Sequence, residues 1–128
     1  MPTVSVTRQV AMPADEAWAR IGGFYDIHTW HPALASVESG PEPGQRSVTM
    51  ANGHQLTERL VGEGPFWQTY EPVDDPLMRG YRATIRVRPA GPAACVIEWT
   101  GEFTADDASA TEFADAIRAF YHLGLESL

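Results

Sequence analysis

The chain reads as an α+β domain: a curved antiparallel sheet of about seven strands wrapped around one long C-terminal helix, with two short helices after the first strand. Three observations predict this. Apolar and polar residues alternate in strand after strand from Ala35 to Phe103, with Gly- and Pro-rich breaks between the strands. Asn52-Gly53 sits between two such strands, and both residues tolerate the positive φ of a tight hairpin. Phe113, Ile117, Phe120, Tyr121, Gly124 and Leu128 then recur at helical spacing. A meander with one apolar face needs a cover, and the terminal helix can supply it.

The elements follow in order. Residues 3 to 11 hold Val4, Val6 and Val10 on one parity, as a strand does. Met12-Pro13-Ala14-Asp15-Glu16 opens a helix, since proline suits the first turn and acidic side chains there complement the helix dipole. Trp18 and Ile21 mark its buried stripe, and Gly22-Gly23 ends it. Phe24, Ile27 and Trp30, spaced at three, predict a second short helix, and Pro32 disfavours a helical conformation at His31. Ser36 to Ser39 is a short strand, and Gly40-Pro41-Glu42-Pro43-Gly44 turns the chain. Gln45 to Ala51 and His54 to Val61 are the arms of the hairpin. Gly64-Pro65 leads into a strand from Phe66 to Val73, which Asp74-Asp75-Pro76 breaks. From Arg79 to Arg88, Tyr81, Ala83, Ile85 and Val87 share one face, and Arg82, Thr84, Arg86 and Arg88 the other. After Pro89-Ala90-Gly91-Pro92, Cys95, Ile97, Trp99 and Phe103 face one way and Glu98, Thr100 and Glu102 the other. The outward arginines and glutamates predict cross-strand ion pairs rather than a basic patch. Ser109-x-x-Glu112 has the form of a capping box at the head of the last helix.

Composition bounds the function. The 128 residues suit one domain, 1–128, with one sizeable core. No apolar run approaches the roughly 20 residues that span a bilayer, so membrane insertion is not expected. Met1-Pro2-Thr3-Val4 lacks a basic region followed by an apolar block, and Cys95 is the single cysteine. A cytoplasmic, reducing setting without disulfides is therefore expected. A net charge of -8 weighs against nucleic acid as a partner, because phosphate contacts need clustered basic residues.

Several local strings carry a family resemblance. Met12-Pro13-Ala14-Asp15-Glu16-Ala17-Trp18 looks like a Pro-Ala-x-x-x-Trp helix start, and Trp30-His31-Pro32 like a Trp-His-Pro turn. Gly44-x-Arg46, Asn52-Gly53 and Glu58-Arg59-Leu60 look like a central hairpin. Tyr81-Arg82-Ala83-Thr84 and Glu98-Trp99-Thr100-Gly101-Glu102-Phe103 look like the last two strands, and Tyr121-x-x-Gly124-Leu125-x-x-Leu128 like the end of a closing helix. In this order they resemble the helix-grip fold of the START-like SRPBCC superfamily, in its polyketide cyclase/dehydrase branch. The resemblance implies a cavity between sheet and helix that holds a small, mostly apolar ligand. Relatives in that superfamily cyclise or dehydrate polyketides or carry lipids or hormones, so the resemblance implies the fold more firmly than any reaction.

Glu58 is the residue that the pattern singles out for chemistry. It shares a strand face with Leu56 and Leu60, and a carboxylate on an inward apolar face is costly unless paired, hydrated or neutralised. A plain two-residue Asn-Gly loop would set Arg46 opposite Arg59 and Glu58 opposite Ser47. A register one residue longer, with a bulge at Gly53, puts Arg46, Val48 and Met50 on the face of Leu56, Glu58 and Leu60. The longer register is favoured because the apolar residues then agree. Arg46 and Glu58 are the catalytic candidates, Glu58 as general acid or base and Arg46 as holder of an anionic or carbonyl oxygen. The competing account is a buried ion pair that fixes the hairpin.

The remaining candidates are ligand-binding: Trp30, His31, Met50, Tyr70, Tyr81, Trp99, Ile117 and Tyr121. Aromatic walls with a few hydroxyls suit a small-molecule site. For His31 a cap on a local backbone group is favoured over a proton shuttle at the cavity mouth, and for Trp99 ordinary core is favoured. His28-x-x-His31 supplies too few ligands for a zinc site, and His54 lies about 13 Å from Glu58 along the strand, so no metal is expected. Cys95 sits in an apolar strand and is not a nucleophile candidate. No glycine string resembles a phosphate loop or dinucleotide fingerprint, so no cofactor is expected.

Three functions remain open. The first is a module that binds a small hydrophobic or aromatic molecule, as monomer or homodimer. The second is a cofactor-free cyclase, dehydratase or lyase using Glu58 with Arg46 or a cavity tyrosine. The third is an accessory protein that acts through its surface. Binding ranks first, because one acid/base centre is visible and such an enzyme needs matched groups.

Overall fold

The computed structural model describes residues 2–73, 78, 80–104 and 109–128. The chain runs β1 (Thr3–Val10), α1 (Ala14–Ile21), a 3₁₀ helix (Phe24–Thr29), β2 (Leu34–Ser39), β3 (Gln45–Met50), β4 (Gln55–Gly64), β5 (Trp67–Pro72), β6 (Arg82–Pro89), β7 (Cys95–Glu102) and α2 (Ala110–Glu126). The strands form a single antiparallel sheet in the order β1-β7-β6-β5-β4-β3-β2. The α+β architecture expected from the alternation is the one observed, with the long helix across one face. The expected break at Asp74-Asp75-Pro76 and the start at Arg79 lie outside the described residues.

Alternation places the core. Val4, Val6 and Val10 of β1, Ala83, Ile85 and Val87 of β6, and Cys95, Ile97 and Trp99 of β7 are all buried. Helix α2 lies over β1 and β7 with Tyr121, Gly124 and Leu125 buried, and α1 lies over β6 and β7. The 3₁₀ helix buries Phe24 and Ile27, and Trp30 beyond its end is buried too. Three residues per turn keep a spacing of three in line on one face of a 3₁₀ helix.

Four local expectations need correction. The buried face of α1 is Ala14, Ala17 and Ile21, whereas Trp18 is only partly buried and meets Phe66 edge to face. Ser109 adopts helical angles and makes no side-chain cap bond to α2, so the capping box does not form. An N-cap oxygen reaches the free N–H groups from extended backbone, and Ser109 lacks that conformation. On the outer face Arg88 pairs with Glu98 at 3.2 Å as expected, but Arg82 turns to Glu71 at 2.9 Å. Glu71 also takes Arg59 at 2.5 Å, and Arg86 lies over the Trp67 ring. Two guanidinium groups on one carboxylate hold Glu71 below its usual range.

The hairpin register decides which way Glu58 faces. Arg46 pairs with Glu58 and Val48 with Leu56, the longer of the two registers. The turn uses three residues, 51–53: Gly53 donates its N–H to Met50 O at 2.9 Å, and Met50 N–H donates to His54 O at 2.8 Å. Gly53 has φ 90°, where a side chain is strained. A three-residue loop closed by a glycine in this region adds the one residue that restores the phase of the two strands.

Candidate functional site

The site grows from that register. Arg46, Val48 and Met50 on β3 and Leu56 and Glu58 on β4 point beneath α2, and with the helix they line a partly open cavity of about 250 Å³. Ile27 and Leu34 close one side, Tyr70, Met78 and Tyr81 another, and Phe113, Ala116, Ile117 and Phe120 of α2 form the roof. His54 stands exposed at the hairpin end. The volume lies just below the roughly 300–1,000 Å³ usual for ligand pockets, so the space suits one or two rings.

Among the described residues Arg46 is the most buried charge, at 1% exposure, and Glu58 beside it is at 7%. Arg46 Nε donates to Glu58 Oε1 at 2.9 Å, and Nη2 lies 2.7 Å from the same oxygen. Nη1 donates to the carbonyl of Phe24 at 2.5 Å. The guanidinium carbon is 4.2 Å from the Phe24 ring centroid and 4.7 Å from that of Tyr70. Burial of a charge is tolerated only with such partners, because the lost hydration has to be replaced atom by atom. Both close contacts fall on Oε1, which leaves Glu58 Oε2 outside the guanidinium fork.

Behind this pair lies a network of aromatic hydroxyls. Trp99 Nε1 donates to the Tyr70 hydroxyl at 3.1 Å, and the Tyr81 and Tyr121 hydroxyls share a short hydrogen bond. Burial pushes the hydroxyls of Tyr70, Tyr81 and Tyr121 well above the usual tyrosine range, and the carboxylate of Glu58 adds to the effect. These groups keep their protons through the physiological range.

The structure divides the expected site residues into two sets. Arg46, Glu58, Met50, Tyr70, Tyr81 and Ile117 line the cavity. Trp30, His31, Trp99 and Tyr121 do not; they form a packed wall behind it. Trp99 stacks on Tyr121 at 4.4 Å between centroids, and His31 stacks on Phe120 at 4.0 Å. Close packing of four rings leaves no lumen at that end.

His31 has become a tie between the turn and the helix. Ala33 N–H donates to Nδ1 at 3.1 Å, so Nδ1 carries no proton and Nε2–H donates to Phe120 O at 2.8 Å. Desolvation lowers its pKa below the ordinary histidine value. The favoured account of His31 as a backbone cap thus describes its bonds, with one partner far along the chain.

Sequence reasoning missed Phe24, whose carbonyl and ring both hold Arg46. It also left Leu34, Phe113 and Phe120 out of the site, although the helical stripe contained the last two. The signal for Phe24 was its place on the apolar face of the 3₁₀ helix, but nothing local says which strand that face meets. Among the described residues no cluster of three or more His, Cys, Asp or Glu side chains could hold a metal. No described helix is long and apolar enough to cross a membrane.

A curved antiparallel sheet gripping a C-terminal helix over a small apolar cavity is the helix-grip fold. The chain belongs to the family described as polyketide cyclase / dehydrase and lipid transport, which it matches over residues 1–128. No protein of curated function matches it. A protein from Thermobifida fusca solved in solution is similar at 28% identity and TM-score 0.86, over 100% of this chain and 91% of the other. The di-domain ARO/CYC BexL of the BE-7585A biosynthetic pathway is similar at 20% identity and TM-score 0.83, over 100% of this chain and 45% of the other. A START superfamily protein from Mycobacterium smegmatis has 14% identity and TM-score 0.71, over 97% of this chain and 94% of the other. The last two likenesses are of fold.

Proposed function

We propose that the chain binds a small, mostly hydrophobic molecule in the cavity between the β3–β4 hairpin and α2. The space of about 250 Å³, walled by Val48, Met50, Leu56, Phe113 and Ile117, is the observation that supports it. Apolar surface around such a space gains about 25 cal/mol per Å² when a ligand replaces water there. The test is thermal unfolding with 1-naphthol or a comparable apolar probe. A ligand at 100 times its Kd stabilises the fold by about 2.7 kcal/mol, so the melting temperature climbs with probe concentration. Ile117→Trp fills the cavity and removes that climb. A melting temperature indifferent to every apolar probe in both proteins defeats the proposal.

A second reading is acid/base catalysis of the cyclase, dehydratase or lyase type by Glu58. The position of its carboxylate on the cavity wall, with Oε2 outside the fork, favours it. Binding stays ahead because each Arg46 nitrogen already has a partner, and Tyr70 and Tyr81 hold their protons too tightly to serve as matched acids. Glu58→Gln separates the two: turnover lost with affinity retained supports catalysis, and parallel loss of both supports binding.

A further inference from the structure

The polar atoms of the cavity select the chemistry of its ligand, an argument that rests on the binding function proposed above. Among the described lining residues Arg46 is the only arginine, and its charge is already met. Two of its nitrogens face Glu58 Oε1, the third donates to Phe24 O, and the Phe24 and Tyr70 rings lie against the group. Beside Glu58 an incoming carboxylate or phosphate would find no unmatched cation among the described lining residues, His54 standing exposed at the hairpin end, and would lose its hydration. The Tyr70 hydroxyl accepts from Trp99, and the Tyr81 and Tyr121 hydroxyls bond to each other. The acceptor that Arg46 leaves over is Glu58 Oε2, and a carboxylate oxygen can only accept. A cation could meet it, but Arg46 and Glu58 together are neutral, so a buried ligand charge of either sign would stay uncompensated.

We infer that the cavity takes a neutral ring compound of one or two rings that carries a single hydroxyl, donated to Glu58 Oε2, and that it discriminates against anions of the same skeleton. Glu58 is then the specificity-determining residue and Arg46 its positioning partner. The hydroxyl supplies orientation, and the apolar walls supply most of the affinity.

The experiment titrates the intact protein calorimetrically with four probes on one skeleton: 2-naphthol, 2-methoxynaphthalene, 2-naphthoate and 2-naphthylmethylammonium. A hydrogen bond to a charged group is worth about 1.5–3 kcal/mol, so 2-naphthol should bind about tenfold or more tighter than its methyl ether. Both ions should bind more weakly than 2-naphthol. In Glu58→Gln the order should invert, with 2-naphthoate gaining on 2-naphthol because Arg46 loses its carboxylate. Equal affinity for 2-naphthol and the ether in the unaltered protein overturns the inference while leaving the cavity as a binding site. So does 2-naphthoate or the ammonium probe binding as tightly as 2-naphthol. Four probes that all fail to bind overturn the binding function itself. The probe series on the unaltered protein decides the matter even where Glu58→Gln does not fold.

Discussion

Helix α2 covers two regions that share a sheet and differ in everything else. Its C-terminal half lies on the ring wall of Trp30, His31, Trp99 and Tyr121, and there is no room between them. Gly124 explains the contact: a Cβ at that position would press into the His31 ring and come within 3.1 Å of Trp99. Further bonds hold the contact, from His31 to Phe120 O and from Ser127 Oγ to Trp30 O at 2.6 Å. The N-terminal half presents Phe113, Ala116 and Ile117 to the hairpin and leaves a cavity. One half of the helix is anchored and the other roofs a void. A close-packed end beside an open end is the arrangement that lets a cavity keep its shape without being filled.

Breaking the open end has the largest expected effect. Arg46→Ala strands a buried carboxylate and should cost about 3–5 kcal/mol, read by urea unfolding. Replacing both partners, Arg46→Met with Glu58→Leu, should recover most of that loss, since no unpaired charge remains. At the anchored end Gly124→Ala should cost about 1–3 kcal/mol through overpacking, and the melting temperature should fall accordingly. Retained stability in that variant would show that the two ends are packed alike.

The hydroxyl pair bridges both regions and gives a smaller effect. Tyr121→Phe removes the bond between the Tyr81 and Tyr121 hydroxyls and should cost about 1–2 kcal/mol, whereas Phe at both positions should cost less than that. His31 gives the anchored end a pH dependence of defined sign. Its folded pKa lies below the unfolded value of 6.5, so its contribution is fully present above pH 6.5 and is lost as pH falls toward the folded value. The stability of His31→Gln should therefore decline less steeply than that of the parent between pH 6.5 and 5. The smallest effect belongs to the surface: Arg88→Ala removes an exposed pair with Glu98 and should change stability by about 0.5 kcal/mol or less.

The two regions also differ in how far the sequence foretold them. Strand alternation marked Val4, Ala83, Ile85 and Trp99 as inward, because a period of two is a local property of the backbone. The pairing of Arg46 with Glu58 was legible for a similar reason, since only one hairpin register aligned the apolar residues. The division of the aromatic residues between wall and cavity was not legible. Trp30, Tyr81, Trp99 and Tyr121 carry the same inward signature, and which of them borders empty space depends on how closely α2 approaches. That distance is set by the missing side chain of Gly124, a subtraction that no periodicity records. The cap at Ser109 failed because the motif specifies residue types, while the cap bond requires extended backbone at that residue.

The three-residue turn closed by Gly53 has a consequence for mutation by insertion and deletion. Removing Ala51 alone would shift one strand against the other by a single step. Gln45, Ser47 and Thr49 would rotate under the helix, and Arg46, Val48 and Met50 would rotate out to water. Substitutions in this turn are therefore matters of degree, but a lost codon there would turn the cavity inside out.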